Sequence, residues 1–139
     1  KTRLVDTRKE AIAFLGFTVA WRQGLRSKRW YPHVAPSAKS QAKLRDQVRA
    51  VLEVRTRNQA AVAVVRKVNQ ITRGWAQAFH YGNSTHVFGK QQAFVRNRLR
   101  RWLWRKYRCT HGLFSFFTDD RLEGQYKLWK WPLKADWTR

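Results

Sequence analysis

The chain has 139 residues, 30 of them Lys or Arg against 8 Asp or Glu, giving a formal charge of +22. That length suits one domain, or one domain with an appendage. That charge opposes compaction unless a polyanion is bound, so nucleic acid is the first candidate partner. No apolar run approaches the ~20 residues of a membrane span, and no secretory h-region is present. The single Cys109 excludes an internal disulfide and fits a reducing, cytoplasmic compartment. Lys1-Thr2-Arg3-Leu4 has no initiator Met and reads as mid-domain sequence, so a fragment or split product is expected.

In chain order, Ala11-Ile12-Ala13-Phe14-Leu15-Gly16-Phe17-Thr18-Val19 is apolar and rich in strand formers. Arg22 to Ser27 is a turn or loop. Trp30-Tyr31-Pro32-His33-Val34 is a second short strand, restricted to a sheet edge by Pro32. The two read as a β-hairpin. A lone hairpin is marginal in water, so this one needs something to dock on, with sequence upstream of Lys1 a candidate. Ser37 or Ser40 then caps a first helix that runs to about Val54. Its apolar stripe is Leu44, Val48, Val51 and Leu52, with Lys39, Lys43, Arg45 and Arg49 outside.

Arg55 to Asn58 turns into a second helix running from near Gln59 to Tyr81, where Gly82 suits a C-cap. At about 100° per residue, Ala61, Val64, Val65, Val68, Ile71, Trp75 and Phe79 share one face. Arg66, Asn69, Gln70, Arg73, Gln77 and His80 share the other. Gly74 costs roughly 1 kcal/mol inside a helix, which suggests that a neighbouring helix or a ligand approaches closely there. Ser84 or Thr85 caps a third helix that ends near Tyr107. Phe88, Val95, Leu99, Trp102 and Leu103 form its stripe, and Arg96, Arg100, Arg101, Arg105 and Arg108 its back. Thr118 to Glu123 reads as the capped start of a short last helix. Tyr126, Leu128, Trp129, Trp131, Pro132, Leu133 and Trp137 then form an aromatic strap over the helices. The expected fold class is mainly α: a three-helix bundle after a short β-hairpin, followed by an aromatic C-terminal tail with a short helix.

From Val54 to Thr118 the chain has no acid and 13 Lys or Arg. A merely solvated helix face carries both signs, so this bias points to a polyanion. The candidate RNA contacts are Lys39, Lys43, Arg66, Asn69, Gln70, Arg73, Gln77, Arg96, Arg100, Arg101 and Arg105. Trp104, among the arginines of the third helix, either packs under the tail or offers a stacking platform. Asp119-Asp120 is the only adjacent acid pair, and helix capping accounts for it better than two-metal chemistry. Cys109 and His111 would be half a zinc site whose second pair is missing. There is no phosphate-binding Gly-rich loop and no nucleophile elbow. The residues therefore show no catalytic centre, and no metal or other cofactor is expected in this chain.

Several stretches in register carry a family resemblance. Lys1-Thr2 precedes Phe14-Leu15-Gly16-Phe17 and Pro36-Ser37-Ala38-Lys39-Ser40. Asn69 follows, with Arg73-Gly74-Trp75 and Phe79, then Arg98-Leu99-Arg100-Arg101-Trp102 and the aromatic segment around Leu122 to Pro132. Together they resemble the C-terminal part of a bacterial group II intron-encoded reverse transcriptase/maturase, over nearly the whole chain. The resemblance implies that residues 1–36 are the end of the palm. It makes 37–110 the helical thumb, or maturase-specific X domain, and 111–139 a strap packing on the helices. It implies RNA as partner, both group II intron and template–primer duplex, with DNA and the palm and fingers of the parent polymerase as further partners. Splicing, reverse transcription and intron homing would belong to that parent, an RNA-directed DNA polymerase. Its Tyr-Ala-Asp-Asp motif, its Mg2+ site and its downstream endonuclease are absent from these residues. Two alternatives stand beside this reading: a helix-turn-helix DNA-binding protein, and an assembly module for a separately encoded palm.

Overall fold

The computed structural model describes residue 4, residue 6 and residues 9–134; the expectations placed on Lys1, Thr2 and Trp137 lie outside the described residues. β1 (Ile12–Phe14), β2 (Phe17–Gln23) and β3 (Trp30–Pro36) form an antiparallel meander in the order β1-β2-β3. The stretch expected as one strand, Ala11 to Val19, folds back on itself. Leu15 and Gly16 hold φ values of 49° and 83°, with Phe14 paired to Phe17 across them. Two consecutive left-handed residues are what a tight two-residue hairpin turn needs. Pro32 lies in β3, on the edge of the sheet, where a missing N–H is tolerated.

The sheet docks on the chain's own helices. The Gly16 carbonyl accepts from the Ser37 N–H and from the Ser40 hydroxyl, both at 2.8 Å. Phe17 packs on Phe79 with ring centroids 5.1 Å apart. At the other corner, the Val34 carbonyl accepts from the Asn83 N–H at 2.6 Å, and the Val34 N–H donates to Asn83 Oδ1 at 3.1 Å. Gly82 makes that approach possible. Its φ is 72°, and a Cβ there would lie 2.6 Å from the Val34 carbonyl oxygen.

Three long helices follow: α1 (Ala38–Val51), α2 (Ala61–Ala78) and α3 (Thr85–Lys106). Ser37 caps α1 by accepting from the Ser40 N–H at 3.1 Å. Leu44 and Val48 of α1 meet Val64, Val65 and Val68 of α2 and Val95, Leu99 and Leu103 of α3 in one core. α2 buries Ala61, Val64, Val65, Val68, Thr72 and Ala76. Its stripe therefore turns toward Thr72 and Ala76 at the C-terminal end, leaving Ile71, Trp75 and Phe79 half-buried along the margin. Among the described residues nothing lies within 4 Å of where a Cβ at Gly74 would stand, so no neighbouring helix makes a close approach there.

The C-terminal segment completes the bundle. α4 (Leu113–Phe116) and α5 (Asp119–Gly124) lead into it, with Thr118 capping α5 by accepting from the Arg121 N–H at 3.2 Å. Trp131 wedges between α2 and α3, with ring centroids 5.9 Å from Trp75 and 5.3 Å from Phe88. Asn69 clamps the same segment: Nδ2 donates to the Lys127 carbonyl and Oδ1 accepts from the Trp129 N–H, both at 2.8 Å. Phe117, Leu122, Tyr126 and Leu128 are buried alongside. The architecture is thus mainly helical, behind a small N-terminal sheet. Among the described residues no helix is long and apolar enough to cross a membrane. We expect Trp131→Ala to destabilise the domain by about 3–5 kcal/mol, as large-to-small changes at buried aromatics do. Urea denaturation followed by circular dichroism measures this, and a loss near zero would show that the wedge is not part of the core.

Candidate nucleic-acid interface

The expected contact residues separate into three groups. The first stands in solvent. On α2, Arg66, Gln70, Arg73 and Gln77 follow one another at helical spacing along the face opposite the core, and all four are exposed. On α1, Lys39 and Lys43 are exposed one turn apart; on α3, Arg101 and Arg105 are likewise exposed one turn apart. No acid lies on α2 or α3.

The second group is turned inward. Arg100 is buried, at 6% exposure. Its Nε donates to the Phe117 carbonyl at 2.6 Å, its Nη1 to Asn97 Oδ1 at 2.8 Å, and its Nη2 to Asp119 Oδ1. The Phe114 ring lies over the guanidinium, 4.9 Å from its carbon. Burial, and then the neighbouring Arg96 charge, lower the Arg100 pKa. Arg96 pairs with Glu123 and lies 3.4 Å from Asp119 Oδ2. The expectation that Arg96 and Arg100 stand on an open back face is therefore corrected. α3 is covered on two sides, by α1 and by the C-terminal segment, so its buried arc takes in residues one turn from Leu99 and Leu103. Asn69, bonded to Lys127 and Trp129, likewise spends its amide on the strap rather than on solvent.

The third group is Trp104, which is half-buried against the core and donates from Nε1 to the His111 carbonyl at 2.9 Å. It is tied to the segment after α3 and does not stand free among the arginines. Asp119 combines two roles: it lies in the first turn of α5, beside the capping Thr118, and it neutralises two arginines of α3. The cap itself is Thr118, and the pairing of Asp119 with Arg100 of α3 joins residues 19 positions apart, which nothing local to residue 119 signals.

Two recesses were not anticipated. One, between the 3-10 turn Val54–Thr56 and α3, is lined by Arg57, Arg98, Arg101 and Arg105. The other lies between the sheet and α3, and Arg22, His33, His86 and Lys90 stand around it. Burial, and then the Arg22 charge, hold His33 below its ordinary value of 6.5. The folded chain thus takes up this proton less readily than the unfolded chain. The stability involved is intact above the ordinary histidine value and falls as pH drops below it. We expect the loss of stability between about pH 7 and 5 to be smaller in His33→Gln than in the parent chain, read from denaturation midpoints. We also expect Arg100→Ala to cost about 1–3 kcal/mol, since it strips the Phe117 carbonyl and Asp119 of a charged donor, whereas Arg101→Ala stays within about 0.5 kcal/mol. Equal losses at the two positions would contradict the division into inward and outward arginines.

None of the curated proteins matches the chain. The family described as "Group II intron, maturase-specific domain" matches residues 41–115, more than half of the chain and all of α2 and α3. The chain belongs to the group II intron maturase-specific domain family.

Proposed function

We propose that the chain grips group II intron RNA by charge and shape through the outer faces of its helices. In this reading it is the thumb, or X domain, of a larger reverse transcriptase, supporting splicing and holding the template–primer duplex. The observation that carries the reading is the exposed, acid-free stripe Arg66, Gln70, Arg73 and Gln77 on α2. Its cations suit phosphates, and its amides suit ribose 2′-hydroxyls across a shallow minor groove. Lys39, Lys43, Arg101 and Arg105 extend the cationic surface. Asp119 and Glu123, which lie against α3, are occupied by Arg96 and Arg100 and do not screen it. Catalysis stays with the parent polymerase.

A second reading is favoured by the sheet. Its register puts Ile12, Phe14, Phe17, Val19, Trp21 and Trp30 on one face. Only part of that face meets the bundle, and Phe14 and Trp30 are exposed. This fits docking against the palm, whether in the same polypeptide or encoded separately. Co-purification with a polymerase fragment, lost in Phe14→Ser/Trp30→Ser, tests it.

For RNA binding through about six cations, affinity should fall by about four to six decades per decade of salt. A flat salt response would reject the electrostatic mechanism. Arg73→Ala should leave the thermal midpoint almost unchanged and weaken binding about 3- to 10-fold, as expected for the loss of one phosphate contact. Preference for duplex DNA over structured intron RNA of equal length would instead support a DNA-binding protein.

A further inference from the structure

We infer that Arg57, Arg98, Arg101 and Arg105 form a seat for a single phosphate group, a site more local than the helix faces above. Arg98, Arg101 and Arg105 lie at i, i+3 and i+7 on α3, so they share one stripe. Arg57 faces them from the end of the 3-10 turn. That turn is fastened to α3 at two points. Trp102 Nε1 donates to the Glu53 carbonyl and to Thr56 Oγ1, both at 3.0 Å. Lys106 Nζ donates to the Arg57 carbonyl at 2.5 Å and to the Gln59 carbonyl at 2.7 Å. The backbone that carries Arg57 is therefore held against α3, and its side chain lines the recess with the other three.

The recess they enclose measures about 190 Å3, enough for a phosphate with part of its ester groups. Its only acid among the described residues is Glu53. Among the described residues none of the four arginines has a carboxylate within ion-pair distance. Arg57 Nε is buried and has no hydrogen-bond partner. A buried cationic donor without an acceptor is costly, and so are several like charges around one recess. Elsewhere on the same helix the enclosed arginines are paired: Arg100 is bonded from Nε and both terminal nitrogens, and Arg96, whose Nε also lacks an acceptor, is ion-paired through its terminal nitrogens to Glu123 and Asp119. Here the acceptor must come from outside. Four guanidinium forks offer more donors than the two oxygens of one carboxylate can take, and a phosphate group presents more oxygens to forks in pairs, so a tetrahedral oxyanion fits this set better than a carboxylate or chloride.

The inference rests on the RNA reading for the source of the group, a backbone phosphodiester; a free phosphate offers the same chemistry. The experiment follows the Arg57 Nε–H resonance in a 15N-labelled chain at constant ionic strength. It titrates inorganic phosphate in one arm and structured group II intron RNA in another, with chloride as control. A saturable shift with RNA, abolished in Arg98→Gln/Arg101→Gln with helicity unchanged, is the expected result. A shift with inorganic phosphate but not with RNA would keep the seat and assign it to a free oxyanion. RNA binding with no shift at Arg57 in either arm would overturn the seat while leaving the broader RNA reading standing. Phosphate occupancy without any RNA binding would do the reverse. In the double variant, the salt dependence of RNA affinity should also fall by about one decade per decade, the share of one phosphate.

Discussion

The pairing of Arg96 and Arg100 with Asp119 and Glu123 is the interaction on which the rest of the fold depends. It joins the middle of α3 to the start of the C-terminal segment and leaves that segment running across α2 and α3. Trp131 can then reach both Trp75 and Phe88, and Asn69 can clamp Lys127 and Trp129. Charged groups this enclosed are tolerable only when paired and hydrogen-bonded, and Arg100 is bonded from Nε and both terminal nitrogens. The same pairing has an electrostatic consequence for the whole surface. A chain with a formal charge of +22 has few acids, and two of them are committed to this cluster. The cations on the outer faces of α2 and α3 are left uncompensated, which favours a polyanionic partner.

The sheet and the bundle are joined by backbone hydrogen bonds at two corners, Gly16 to Ser37 and Val34 to Asn83. Such bonds need close approach, and Gly82 permits it at the second corner by lacking a Cβ. The result sets two surfaces of different chemistry in one chain: exposed cationic helix faces and a partly exposed apolar sheet face.

The residues whose roles changed between sequence and structure share one feature. Asn69, Arg96, Arg100 and Trp104 are polar, or carry a polar edge, and sit at the margin of an apolar stripe. A helical wheel assigns such residues to solvent by default. Whether they meet water or another segment depends on what lies across from them. For Asn69 it is the backbone of Lys127 and Trp129, 58 and 60 residues away. Gly74 illustrates the converse: its local cost suggested a neighbouring helix or a ligand, and among the described residues no helix packs against it.

Periodicity and composition alone determined the three long helices, the middle of their apolar stripes, a capped start for α1 at Ser37 or Ser40 and for α5 near Thr118, and the strong positive charge. Each rests on neighbours within a turn or two, or on a sum over the chain. The ordered motifs determined the family. Tertiary structure alone decided which arginines are spent inside and which remain outside. It also brought Arg57 up to α3 through Trp102 and Lys106, and split the first apolar run into two strands docked on the bundle. Those outcomes depend on contacts between residues far apart in sequence, and a one-dimensional pattern does not encode which distant partner a polar side chain will meet.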